Sequence, residues 1–378
     1  MSETDRDGPT ANGNGGTVRV PREAPHELGS RVGFEIELLT PRGSSRADLA
    51  AAIAAGSGGR VERAFHRDSE PSAVPGMGSF RHLTPAFDVV DPAGAPLCSV
   101  VDDVTIVAGL DVRAAPAPGW YRLLTDDARL LNLLAGVCDP TAERDEVLKP
   151  VAALFGTDVL AAGPGISRVV DRDGASVAMA APLPGERQRP AEIVTPPLER
   201  DHAQRLEQLL GPARELGCTI PVEAAVHLHF DAAPFRAPRA FAEVVTLFGR
   251  WRAALWRLLG TNPACTRLAP LPPALLDRTD ALRGLGPWDE VVAALGDVGL
   301  TKYSDVNLLH VLRAPRVKDT LEVRILPGAD TAAAVLERAA LVEGLLRLCV
   351  EGPGLPHPPT GRLDEDVATL ARWGCGAR

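Results

Sequence analysis

Apolar and polar positions along this chain switch period repeatedly. Helical spacing, with apolar residues recurring every three or four positions, predicts helices over residues 46–55, 126–137, 201–216, 239–259, 287–295 and 331–350. Alternating or short apolar runs predict strands over 31–39, 86–90, 99–108, 167–181, 191–195, 222–230, 306–312 and 320–326. Turn chemistry separates neighbouring strands at Asp91-Pro92-Ala93-Gly94, at Asp173-Gly174 and across residues 313–319, which predicts hairpins and antiparallel pairing.

Strands and helices interleaved in this way predict an α+β fold, a mostly antiparallel sheet with helices on one face and the other face open. The expected organisation is a disordered, polar leader over 1–26, one catalytic-sized domain over 27–351 with inserted loops, and a short tail over 352–378 that begins with a proline-rich run. Neither G-x-G-x-x-G after a first strand nor G-x-x-x-x-G-K-[ST] occurs, so the two common glycine-rich phosphate cradles are excluded. The pairs Gly76 and Gly78, and Gly163 and Gly165, are expected to be ordinary loops.

Composition narrows the partners. With 40 basic and 49 acidic side chains in 378 residues, the formal net charge is −9, which disfavours nucleic acid and anionic membrane as partners. Aromatic residues make up only 4%, too few for a base-stacking surface. No apolar run approaches a membrane span, and six widely spaced cysteines without a C-x-x-C pair predict reduced thiols and a cytoplasmic location. The only lysines are Lys149, Lys302 and Lys318, all other basic residues being arginine, so Lys302, beside Tyr303 and ahead of Asn307, stands out.

Three strand segments carry chemistry on one face. In Gly33 to Leu38 (GFEIEL), Glu35 and Glu37 alternate with Phe34, Ile36 and Leu38. In Val226 to Phe230 (VHLHF), His227 and His229 share the face opposite Val226, Leu228 and Phe230. In Leu321 to Ile325 (LEVRI), Glu322 and Arg324 fall together, and Glu192 opens a fourth segment, AEIVTPPL. A merely solvated face carries mostly Lys, Thr, Ser and Gln; Glu-x-Glu, His-x-His and Glu-x-Arg are instead the groups that ligate metals and clamp anions. Carboxylates suit Mg²⁺ or Mn²⁺, and side by side they repel unless a cation lies between them or one is protonated. Of Asp102 and Asp103, Asp103 is expected to face the site. His66, His82, His202 and His310 are expected to be surface or structural residues, and the segments FHRDSEP (65–71) and PLPGERQRP (182–190) charged loops, either selecting the substrate or simply solvated.

In order along the chain, GFEIEL, EIVTPPL, HLHF, Lys302 followed by Val306-Asn307, and LEVRILPG resemble the amidoligase family, part of the glutamine synthetase and glutamate-cysteine ligase superfamily of carboxylate-amine ligases. The resemblance spans about residues 31–328. It implies a glutamine synthetase-like fold with a curved, concave catalytic sheet, and ATP- and Mg²⁺-dependent amide-bond formation, with Mn²⁺ as the other candidate ion. By that resemblance Glu35, Glu37, Glu192 and Glu322 match metal ligands, and Glu37 also a catalytic position. His229 matches a nucleotide- or metal-facing histidine, Arg324 the arginine facing the transferred phosphate, Lys302 a phosphate contact with a catalytic role beside Arg324, and Lys302 and Asn307 nucleotide contacts.

The reaction so implied takes a small-molecule or peptide carboxylate and an amine through an acyl phosphate, without a covalent enzyme nucleophile. A metal-dependent hydrolase built on His227 and His229, and a catalytically silent nucleotide- or peptide-binding module, are the other readings of the same residues.

Overall fold

The computed structural model describes residues 27–71, 79–125, 127–265, 267–313, 318–355 and 359–376. The leader at 1–26, the Gly76 and Gly78 loop, the start of the helix expected at 126 and most of the turn expected over 313–319 lie outside the described residues.

The chain opens with strand β1 (Val32–Leu39) and helix α1 (Arg46–Ser57), then β2 (Arg60–Pro71), β3 (Ser79–Val90), β4 (Pro96–Val101) and β5 (Tyr121–Thr125). Helices α2 (Ala128–Val137) and α3 (Lys149–Phe155) follow, then strands β6 (Val159–Gly163), β7 (Ile166–Val170), β8 (Ser176–Pro182) and β9 (Pro190–Val194). Helix α4 (His202–Leu216) leads to β10 (Ala225–Asp231) and helices α5 (Pro238–Gly249), α6 (Arg252–Leu259), α7 (Pro273–Arg283) and α8 (Trp288–Ala294). The chain closes with β11 (Val306–Asn307), α9 (Leu309–Leu312), β12 (Thr320–Pro327), α10 (Ala332–Glu351) and α11 (Leu363–Gly376).

The strands form one twelve-stranded sheet in the order β11-β12-β10-β1-β9-β4-β3-β5-β8-β7-β6, with β2 paired to β3 off this path. Every strand pairing in it is antiparallel, as the hairpin chemistry predicts. One face of the central strands (Phe34, Ile36, Leu38, Leu228, Val323, Ile193) is fully buried against helices whose apolar stripes join it in the main core. A second, smaller core lies under β5, β7 and β8, built on Tyr121, Leu123, Leu134 and Val151. Among the described residues no helix is long and apolar enough to cross a membrane.

Several expected elements differ from those observed. The strand expected over 306–312 survives only as Val306–Asn307, because residues 309–312 turn into α9. The strand expected over 99–108 ends at Val101, and the residues after it are held by ion pairs rather than by a ladder. The helix expected over 239–259 breaks at Arg250 and Trp251 into α5 and α6. FHRDSEP is not a loop but the distal half of β2, whose polar side chains are tolerated because β2 pairs with β3 alone. The segment expected to be a polar tail contains α11, which buries Val367 and Leu370 in the main core. Gly344 of α10 makes this docking close: a Cβ there would lie 2.1 Å from the Gly374 carbonyl oxygen.

Candidate active site

Sheet register brings residues of five strands together. Glu35 on β1 faces His227 on β10, Glu37 faces Glu192 on β9, His229 faces Glu322 on β12, and Glu322 faces Asn307 on β11. Since side chains on one strand alternate in direction, this register places all these groups on the face turned away from the helices. Between β10 and β12 the register shifts, with Val226 opposite Leu326 and Leu228 opposite Val323, so an extra β12 residue meets His227. The displaced Arg324 N–H donates instead to the Asp305 carbonyl, 3.0 Å away, as an extra residue in a ladder allows.

This face is not solvent-exposed as the open-sheet expectation implies. Glu35, Glu37, His227, His229 and Glu322 are all buried, each less than 9% exposed. Glu35, Glu37, His227 and Glu322, with Glu192, form the floor of a cleft of about 220 Å³ whose walls include Asp68 of β2, Asp103, Lys302 and Lys318. His229 does not line the cleft but touches its floor through Glu35. A hollow of about 300 Å³ elsewhere, lined by Pro197, Arg205 and Leu209 among others, gathers no comparable set of carboxylates and histidines.

Glu35 is the junction of the floor. Its Oε2 lies 3.1 Å from His227 Nδ1, and its Oε1 lies 3.1 Å from His229 Nε2 and 2.7 Å from Lys318 Nζ. Burial by itself pushes the Glu35 carboxyl up, but His229 and Lys318 outweigh it and hold the group well below the usual carboxylate range. Glu322 behaves alike: against burial, Arg324 and then His229 bring it down to about 2. Its partners are Arg324 Nη1 at 2.7 Å and Asn307 Nδ2 at 2.9 Å, both donating.

The other two carboxylates move the opposite way. Burial first, then Asp103, raises Glu37 well above its ordinary value, although it accepts the Ala225 N–H at 2.8 Å. Glu192 is raised by burial and then by Glu35, Asp103 and Glu37. His227 is pushed down by burial and by Arg324, so its ring favours the neutral form, which offers a lone pair.

Two sets of three side chains place one ligand atom each within 4.8 Å of one another: Glu35, His229 and Glu322, and Glu35, Glu192 and His227. Glu35 belongs to both. Mixed carboxylate and imidazole donors fit a divalent ion such as Mn²⁺ or Mg²⁺, and a cation among them would relieve the repulsion that adds to burial in raising the proton affinity of Glu192. Glu37, expected among the ligands, stands outside both sets, with Oε1 3.4 Å from His227 Nε2.

The remaining expectations divide. Lys302 reaches the cleft, with Nζ 3.4 Å from Asp68 Oδ1. Asp103 lines it too, its carboxylate accepting from the Thr105 N–H at 2.8 Å and from the Thr105 hydroxyl. Asp102, expected to point away, lines the cleft as well, and it is drawn into ion pairs with the buried Arg46 at 3.4 Å and with Arg187 at 2.7 Å. Arg187 also donates to the Asp103 and Ile106 carbonyls, and Arg189 to the Thr40 and Gly109 carbonyls, so this part of 182–190 is a set of braces rather than a solvated loop. His66 and His310 line the cleft, contrary to expectation, whereas His82 and His202 are buried away from it. Lys318 is open to the same rarity argument that singles out Lys302, and it is the lysine that touches the carboxylate junction.

A family model described as "Putative amidoligase enzyme" matches residues 28–338, well over half of the chain. None of the curated proteins and none of the solved structures matches it.

Proposed function

The chain belongs to the amidoligase family of enzymes, and on that premise we propose that it is an ATP-dependent carboxylate-amine ligase that works with Mg²⁺ or Mn²⁺ through an acyl phosphate. The observation that carries this reading is the junction at Glu35, where two three-ligand sets meet and the cations Lys318 and Arg324 contact the same carboxylates.

Divalent ions held by Glu35, Glu192, Glu322, His227 and His229 would neutralise the polyphosphate oxygens of ATP. The chain's own groups then have separate tasks. Glu35 and Glu322 are kept ionised by their basic neighbours and so are ready as ligands without first losing a proton. Arg324, fixed through Glu322 and through its backbone bond to Asp305, is the donor that would stabilise charge developing on the transferred phosphoryl group. Lys302, on the cleft wall beside Asp68, and Asn307, through Glu322, would orient the nucleotide. Glu37, with its raised proton affinity, suits removal of the proton that the amine sheds as it displaces phosphate from the acyl group. The carboxylate substrate attacks the γ-phosphate and releases ADP; the amine then forms the C–N bond and phosphate leaves.

The set of Glu35, Glu192 and His227 also suits activation of water by one metal, as a hydrolase would require. The pairing of Lys318 and Arg324 with these carboxylates favours phosphoryl chemistry instead, since such cations bind anionic oxygens. Incubating the protein with ATP, Mg²⁺ and pools of amino acids or peptides tests the choice. ADP and phosphate released only when both a carboxylate and an amine are present support the ligase. AMP and pyrophosphate would replace the acyl phosphate by an adenylate, and hydrolysis without ATP would select the hydrolase.

A further inference from the structure

Among the described residues, five lysines and arginines border the cleft, and four of them are engaged by polar partners. Lys318 pairs with Glu35, Arg324 with Glu322, Lys302 with Asp68, and Arg67 donates to Asn132. Arg267 differs: among the described residues it makes no hydrogen bond and no ion pair. Its guanidinium lies over the face of Tyr303, 5.3 Å from the ring centroid, and Lys302 Nζ lies 5.3 Å from the same centroid.

The backbone that follows Arg267 is firmly seated. Two residues on, the Ala269 N–H donates to the Tyr303 carbonyl at 2.9 Å and the Ala269 carbonyl accepts from the Asp305 N–H at 3.0 Å. Asp305 is itself clamped by Arg252 at 2.6 Å and by the Trp256 indole N–H at 2.7 Å. An arginine stacked on a ring keeps its planar fork of donors oriented, and that fork matches a carboxylate or a phosphate. In a cleft where every other cation has a partner, a built but unmatched fork marks the place of an anion that arrives with a ligand.

We propose that Arg267, stacked on Tyr303 with Lys302 beside it, is an oxyanion subsite on the cleft wall, separate from the carboxylate and histidine floor. Its occupant is either a second acidic group of the substrate, beyond the carboxylate to be activated, or a phosphate of the nucleotide. The inference deepens the ligase reading and rests on it for the source of the oxyanion, though not for its binding.

The test is equilibrium binding by titration calorimetry on the full chain at fixed ionic strength, without turnover. The probes are MgATP, inorganic phosphate, glutarate and the matching monocarboxylate butyrate, applied to wild type, Arg267→Met and Arg267→Lys. The methionine keeps a stem over Tyr303 and removes the donors. At least one probe is expected to bind Arg267→Met about tenfold or more weakly, with Arg267→Lys between the two and Mn²⁺ affinity unchanged. Loss confined to MgATP or phosphate assigns the site to the nucleotide; loss for glutarate but not butyrate assigns it to a second substrate carboxylate. If no probe binds Arg267→Met more weakly than wild type, or if Mn²⁺ affinity falls in parallel, the subsite is overturned. A protein that keeps Arg267-dependent binding yet releases no ADP with any carboxylate-amine pair would retain the subsite and lose the ligase reading.

Discussion

Lys318 Nζ and Glu35 Oε1 stand 2.7 Å apart across 283 residues of sequence, and that oxygen also faces His229 Nε2 at 3.1 Å. The lysine therefore competes for the carboxylate shared by both three-ligand sets. Replacing it by methionine is expected to tighten Mn²⁺ binding several-fold while lowering ATP turnover, because a cation that would attract the substrate oxyanion is gone. Titration calorimetry with Mn²⁺ and an ADP-release assay read the two effects separately; weaker Mn²⁺ binding in Lys318→Met would contradict the competition.

Glu192 sets a dependence on pH. Burial, and then Glu35, Asp103 and Glu37, raise its proton affinity above the ordinary value of 4.5. The folded chain thus keeps a proton that the unfolded chain has released, so this contribution is complete below the unfolded value and is lost as pH rises through the raised folded one. Metal-free protein should lose melting temperature as pH rises above the ordinary 4.5 and through the raised folded value. Glu192→Gln should flatten that slope, by about 1–2 °C for each kcal/mol regained. Excess Mn²⁺ should stabilise wild type more than the variant, since the metal displaces the proton.

Arg324 and Glu322 give the opposite sign. Glu322 is held down to about 2 against burial, with Arg324 the first of the groups that lower it. Its contribution is present above the ordinary 4.5 and is lost as pH falls towards 2. Arg324→Met should therefore shift the acid-unfolding midpoint upward, followed by circular dichroism. The same variant should reduce turnover by about 10²–10³-fold, the usual effect of removing a donor aimed at developing charge.

Asp102 tests the braces at the edge of the cleft. It is shared by Arg46, which is fully buried, and Arg187. Asp102→Ala leaves two guanidinium groups without their carboxylate and is expected to destabilise the fold by about 3–5 kcal/mol in urea titration. Arg187→Met should cost less, because the Arg46–Asp102 pair survives.

Gly344 tests the docking of the last helix. A methyl group there meets the Gly374 backbone at 2.1 Å, and backbone cannot swing aside like a side chain. Gly344→Ala should destabilise by about 1–3 kcal/mol. Trp373, whose ring centroid lies 5.7 Å from that of Trp251, provides a local fluorescence signal for α11 leaving the core.

Period-2 alternation makes the floor of the site legible in the sequence. In β1, β10 and β12 the pleat alone dictates that Glu35 and Glu37, His227 and His229, and Glu322 and Arg324 each share a face. The brace formed by Arg46, Asp102 and Arg187 is not legible there, because it joins a helix start and two connections that no local period relates. The distal half of β2 is hidden for a related reason: residues 65–71 read as a polar loop when taken singly, yet a backbone ladder with β3 holds them extended.

What the sequence determined by itself is local: the antiparallel hairpins, the α+β class, the face on which each carboxylate and histidine points, and a resemblance built on five short motifs. What only the tertiary structure decided is which of those faces meet. The order β12-β10-β1-β9 brings Glu322, His229, His227, Glu35 and Glu192 onto adjacent strands, and it seats Lys318 rather than Lys302 against their common carboxylate. Proton affinity followed from the same step: four glutamates with one intrinsic value separate into two held low by adjacent cations and two held high by burial and the charge of neighbouring carboxylates, Asp103 among them. A strand's pleat is fixed by its own backbone, but the field at a side chain is set by neighbours hundreds of residues away.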